Sequence, residues 1–156
     1  DHTHCISTAI SHAQSLCADR GARLTPVRQR VLELVWHSHQ PIGAYELLAR
    51  LANEGFNSAP PTVYRALEFL SEQGLLHKLD SINAYVGCCN PDTPHQGHFL
   101  LCKVCNQAQE LDSQYITLAL KLSAEQHGFE IQSHTIEIVG TCQGCLDKSK
   151  IVAPNL

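Results

Sequence analysis

Two short motifs restrict this chain more than anything else in it. Cys102-Lys-Val-Cys105 and Cys142-Gln-Gly-Cys145 each set two thiols three residues apart. On a tight turn both thiols can reach one ion. Two such knuckles complete a four-cysteine tetrahedron, the closed geometry of structural Zn2+. Thirty-six residues separate them, long for a compact ribbon but suited to a helix and two strands in between. The alternatives are a redox CxxC or a disulfide pair. A thioredoxin-like site needs a single CxxC at a helix N-terminus, whereas these two are expected at strand ends. The chain holds eight cysteines and ten histidines in 156 residues. Disulfides would account for the thiols but not for the imidazoles. With no signal peptide visible, paired CxxC motifs indicate metal in a reducing, cytoplasmic compartment.

Apolar periodicity divides the rest. In residues 5–19, Ile6, Ala9, Ile10, Ala13, Leu16 and Cys17 share one face and predict a first helix, with Gly21 as its stop. Thr25 as N-cap and Pro26 at the first helical position open a second, with Val27, Val31, Leu34 and Val35 inward. GAYELLARLANEG predicts a third, ending at Gly55. PPTVYRALEFL predicts a fourth, with Pro61 at its first position, Val63, Ala66, Leu67 and Leu70 as the apolar stripe, and Gly74 as the stop. LLHKL and AYVGC flank the turn DSIN and form a β-hairpin. Three or four helices followed by a hairpin is the order of a winged helix-turn-helix.

After Cys88 the composition shifts to a loop rich in Pro, Asn and Gly. The expected fold class is α+β: a winged-helix domain over 1–87, a hinge over 88–98, and a small metal-binding α+β domain over 99–156. In the second domain HFLLC and AQELD predict strands, SQYITLALKLSAEQHG an amphipathic helix, and FEIQSHTIEIVGTC one long strand. From Asp147 onward no pattern is strong. No run of 18 apolar residues exists, so no transmembrane helix is expected.

Charge is uneven. Residues 1–78 carry seven Lys/Arg and seven Asp/Glu, whereas 79–156 carry four and eight. Six of the seven basic residues in the first half are Arg, the side chain best suited to phosphate and guanine. An anionic partner should therefore meet the N-terminal half. On the fourth helix Arg65 points away from the apolar stripe, with Thr62 and Tyr64 beside it. On a helix in the major groove such an Arg can bond guanine O6 and N7, and its neighbours phosphate or a thymine methyl. Tyr45 opens the preceding helix and can reach backbone or base. The alternative for Arg65 is a solvated charge paired with Glu68 or Glu72.

A second, more diffuse donor group comprises His77, Cys88, His95, His98 and Glu110. One thiolate, one or two imidazoles and a carboxylate suit tetrahedral Zn2+, whereas an iron sensor would more naturally use N and O ligands alone. Scattered surface histidines, a half-buried Cys and a solvated Glu are the alternative. Hydrolase and deaminase signatures are missing: there is no HExxH, no His-x-Glu, no Gly-rich phosphate loop and no GxSxG.

RLTPVRQRVLELV, PPTVYRALEFLSEQGLLHKLDSINAYVGC and the double CxxC together resemble the Fur family of metal-dependent repressors, from about Ala13 to Cys145. Within that family the similarity is to zinc-responsive members. The resemblance implies a homodimer, an N-terminal winged helix and a C-terminal dimerisation domain. It implies structural zinc at Cys102, Cys105, Cys142 and Cys145, and regulatory zinc at His77, Cys88, His95 and Glu110, so two ions per chain. It also implies operator DNA contacts from Tyr45 and Arg65, and repression of zinc-import genes. His98 is an extra candidate ligand, and Cys89 beside Cys88 a competing one. His127 and His134 hint at the third metal site of some relatives but show no clear set of partners in the sequence. The competing expectations are a sensor of iron, nickel or peroxide, a zinc metalloenzyme with an open water position, and a constitutive DNA-binding module with structural zinc only.

Overall fold

The computed structural model describes residues 2–38, 40–56, 59–93, 95–111 and 113–151. The chain forms two compact units, residues 1–94 and 95–156. Pro94, within the expected hinge, and Asp112, at the end of AQELD, lie outside the described residues.

The first unit is built from four helices and a hairpin. α1 (His2–Asp19) buries Ile6, Ile10, Ala13 and Cys17 along one stripe. α2 (Pro26–His37) starts where expected: the Thr25 hydroxyl accepts the Arg28 N–H at 3.5 Å, and Pro26 occupies the first turn. Val31, Leu32, Leu34 and Val35 face inward. α3 (Ala44–Asn53) buries Ala44, Leu47 and Leu51. α4 (Pro60–Glu72) buries Val63, Ala66, Leu67 and Leu70, the predicted stripe. It begins at Pro60, not Pro61. Both prolines fit, because no N–H of the first turn has an intrahelical acceptor. Gly74 follows at φ +71, a left-handed turn open to glycine at little cost.

β1 (Leu76–Leu79) and β2 (Ala84–Gly87) pair antiparallel, His77 opposite Val86 and Leu79 opposite Ala84. Asn83 at φ 47 turns the hairpin. Ile42 adds a bridge that the sequence does not signal: its N–H donates to Tyr85 O at 3.1 Å and its O accepts from Tyr85 N–H at 2.9 Å. The helices and hairpin close over one apolar cluster, and this unit is a winged helix.

In the second unit β3 (Gly97–Cys102) is the central strand, in the order β4-β3-β5. β4 (Ala108–Glu110) runs antiparallel to it, and β5 (Thr135–Gly140) parallel. α5 (Gln114–Gln126) makes the crossover, capped by the Ser113 hydroxyl accepting the Ile116 N–H at 3.4 Å. β5 is shorter than the strand expected over 129–142. Its register explains why: Thr135 is opposite Gly97, so the ladder begins where β3 begins. The stretch expected to lack pattern forms α6 (Gln143–Ile151) instead. Its first turn is set by the second CxxC, with Cys145 and Leu146 N–H both donating to Cys142 O. No helix among the described residues is long and apolar enough to cross a membrane.

Gly87 packs directly against the Trp36 ring. A Cβ there would lie 2.5 Å from Trp36 Cε2. Gly87→Ala should therefore destabilise the protein by about 1–3 kcal/mol through overpacking, measured as a lower midpoint in urea denaturation.

Candidate metal centres and nucleic-acid interface

Parallel pairing of β3 with β5 puts the ends of the two strands side by side, Cys102 opposite Gly140. Each strand end then runs straight into a CxxC. After β3 the chain turns through Asn106 at φ 58, whose N–H donates to Cys102 O, and Lys103 N–H donates to Gly140 O. After β5, Cys142 precedes α6 and Cys145 lies in its first turn. The second motif therefore sits at a helix N-terminus, not at a plain strand end as expected. The positive end of the helix dipole there favours thiolates.

The four sulfurs of Cys102, Cys105, Cys142 and Cys145 lie within 4.8 Å of one another. Cys105 Sγ is 3.8 Å from Cys142 Sγ. Four sulfurs bound at about 2.3 Å to one tetrahedral ion stand about 3.8 Å apart, so the cluster fits Zn2+. Its electrostatics ask for a cation. Backbone N–H groups of Cys142, Cys105 and Val104 hold the Cys102 thiol down to about 6. Its bond to the Cys142 sulfur, burial and the neighbouring sulfurs push Cys145 up to about 12. Four thiolates cannot share this space unless a dication offsets their repulsion.

The regulatory candidates occur as two pairs. In the first unit His77 is on β1, half-buried, and Cys88 follows β2, buried, with its N–H donating to Leu75 O at 3.0 Å. The hairpin thus sets a thiol and an imidazole on neighbouring strands. In the second unit His95 Nε2 is 2.6 Å from Glu110 Oε1. Glu110 is opposite Phe99 on the β3–β4 ladder, at the near end of β3.

His98 is 2% exposed and pairs with His134, Nε2 to Nε2 at 2.8 Å, with the rings stacked at 5.1 Å between centroids. Gln96 Oε1 accepts the His134 N–H at 3.1 Å. His134 therefore has partners that its sequence neighbours do not reveal. The parallel register was the hidden signal, since His98 is opposite Ile136, two residues beyond His134. His127 caps α5 and is exposed. Cys89 is exposed beside buried Cys88.

The proposed nucleic-acid face also lies in the first unit. Tyr45 is 81% exposed at the start of α3. Arg65 is exposed on α4 opposite the buried stripe, Tyr64 is largely exposed, and Thr62 is half-buried in the first turn. Among the described residues neither Glu68 nor Glu72 pairs with Arg65. Other arginines are engaged: Arg30 binds Glu54 and Glu33, Arg28 stacks on Phe69 at 3.8 Å, and Arg20 donates to Gln73 O.

The sequence profile described as the ferric uptake regulator family matches residues 19–139. The chain belongs to the ferric uptake regulator family. Among relatives of this Fur-family protein, the zinc uptake regulation protein of Escherichia coli K12 is 37% identical over 139 residues, 88% of this chain and 81% of that one. A zinc uptake regulator complexed with zinc and DNA superposes with a TM-score of 0.88 at 36% identity, covering 93% of this chain and 97% of that one. Holo XcZur gives a TM-score of 0.82 at 40% identity, over 88% and 96%.

In this Fur-family protein Cys105→Ser should lose tightly held zinc and unfold the second unit, because metal binding and folding are one equilibrium at such a site. Zinc-to-protein stoichiometry with circular dichroism checks both.

Proposed function

We propose that this protein is a zinc-responsive transcriptional repressor that binds operator DNA as a homodimer and controls zinc-uptake genes. The observation that carries it is the donor chemistry. Beside a four-cysteine cluster of zinc geometry, the remaining candidates offer a thiolate from Cys88, imidazoles from His77 and His95, and a carboxylate from Glu110. Similarity to proteins named for zinc uptake, one of them solved with zinc and DNA, supports the same function. We assign the structural ion to Cys102, Cys105, Cys142 and Cys145 and the regulatory ion to His77, Cys88, His95 and Glu110, so two zinc ions per chain. A thiolate selects Zn2+ over the hard-ligand chemistry of an iron sensor. Four protein donors keep no open position for a substrate water, so this is a regulator and not an enzyme. Thiolate ligands also require a reducing compartment, the cytoplasm.

His77 and Cys88 belong to the first unit, and His95 and Glu110 to the second. One ion held by all four would tie the two domains together. In a dimer that tie fixes the spacing of two recognition helices against two half-sites. Zinc must bind the DNA-competent arrangement more tightly than the others, and by linkage DNA must tighten zinc by the same factor. Arg65, with Tyr64, Thr62 and Tyr45 around it, is the proposed reading head.

Dimerisation is assigned to the second domain. β5 is an edge strand, and α5 presents Tyr115, Leu118 and Leu122 to solvent at helical spacing. Leu118→Glu with Leu122→Glu should turn the dimer into a monomer in sedimentation velocity.

Cys88→Ser should leave a folded dimer whose DNA binding no longer follows zinc; an unaltered zinc response in fluorescence anisotropy would remove Cys88 from the site. Arg65→Ala should cost about 1–3 kcal/mol on the operator if it reads guanine. An equal loss on every sequence would make it a phosphate contact instead.

A further inference from the structure

Ile6, Ile10, Ala13 and Cys17 seat α1 in the apolar cluster of the first unit. Two polar side chains from the same stretch reach instead to the segment after β2, which starts at Cys88. His12 of α1 has its Nε2 2.7 Å from Asp92 Oδ1. An ionised carboxylate only accepts, so the ring donates through Nε2. Arg20, the first residue after α1, donates from one guanidinium nitrogen to Gln73 O at 2.7 Å and to Gln73 Oε1 at 3.3 Å. Its other terminal nitrogen donates to Pro91 O at 3.5 Å. At the near end of the segment the Cys88 N–H donates to Leu75 O at 3.0 Å.

Residues 88–92, which composition places in the hinge, are therefore tied to the first unit at both ends. The anchor is well placed. Gln73 is the C-cap of α4, and a cation is favoured there because the last carbonyls form the negative end of the helix dipole. One guanidinium thus joins the end of α4 to the chain that leaves Cys88. The His12 and Asp92 side chains are 39% and 57% exposed, so their pair adds little to global stability. Its effect is on position. An ion held by both Cys88 and His95 must close the chain between them. That chain is seven residues long counted from Cys88 but three counted from Asp92. Closure becomes harder as roughly the 3/2 power of length, so fixing residues 88–92 beforehand favours closure about three- to fourfold.

We infer that His12 and Arg20 are positioning residues of the zinc switch, holding the chain just beyond Cys88 in place before the ion arrives. The inference rests on Cys88 being a ligand of the regulatory ion. Neither residue needs to touch the ion or the DNA. Each acts through the backbone that follows the thiol, and α1 is the brace that carries them. Part of the ordering that zinc would otherwise have to impose is already complete when the first unit folds. The brace therefore sets the zinc concentration at which the protein responds, and leaves the zinc-loaded form unaltered.

The test titrates operator binding by the full-length protein against buffered free Zn2+, read by fluorescence anisotropy. Asp92→Ala and His12→Leu should each raise the zinc midpoint about three- to fourfold and leave operator affinity at saturating zinc unchanged. The two together should raise it no further than either alone, because they remove one contact. Asp92→Glu keeps a carboxylate and should restore the midpoint. Arg20→Ala should raise it at least as far, since the Pro91 and Gln73 contacts go together. An unmoved midpoint in Asp92→Ala and Arg20→Ala would overturn the brace. So would a lower urea midpoint, or weaker operator binding at every zinc concentration, with the zinc midpoint in place, because that is the mark of a structural contact alone. Cys88→Ser in the same assay tests the reading beneath. If it abolishes the zinc response while Asp92→Ala leaves the midpoint unmoved, the brace alone fails. A normal zinc response in Cys88→Ser removes the ligand that the brace would position, and both fail.

Discussion

Parallel pairing of β3 with β5 is the constraint on which the second unit depends. That ladder fixes where each strand stops, and each stop is a cysteine pair. It brings four sulfurs to one corner, sets the start of α6, and carries the segment that buries His98 against His134. Little else there could hold the fold. α5 buries no residue and β5 is mostly exposed, so apolar burial within one chain supplies modest stability. On the assignments proposed above, a cation offsetting four crowded sulfurs and a partner covering α5 and β5 would supply what the small core lacks.

The first unit works by the opposite balance. Its helices share one dense apolar cluster, and its surface charges are mostly spoken for by Glu54, Glu33, Glu46 and Phe69. Exposed ion pairs of this kind add little stability. Arg65 stays exposed on α4, and among the described residues no carboxylate pairs with it; Tyr64 is exposed beside it and Tyr45 is exposed at the start of α3. A rigid base with an uncommitted guanidinium is what base recognition requires, since an arginine already paired would have to break that pair before meeting a guanine.

How much of this was legible follows from the range of the interactions. α2 and α4 could be read closely because their signals are local: Thr25 and Pro26 at one start, a double proline and a four-residue stripe at the other. The cluster of four cysteines was legible because its two halves are each local. Elements decided by distant partners were not. The six-residue length of β5 is set by where β3 begins. The Ile42 bridge is set by Tyr85, and α6 by the cysteine knuckle, since Leu146 and Ile151 alone make too thin a stripe. The His98–His134 pair depends on a register that no sequence window contains.

That register also dictates an order of events as the chain is made. β3 and β5 meet only after the 32 residues between Cys102 and Thr135 have been synthesised, and the sulfur corner closes only when Cys145 has emerged. Every residue of the first unit is synthesised before β5 emerges, and domains fold as units in the order they are made. The winged helix can therefore be complete on the ribosome while the four-cysteine corner is still open. With dimerisation assigned to the second unit, each new chain would for a time carry a folded α4 and no partner to space it against. Repression has to wait for the last cysteine.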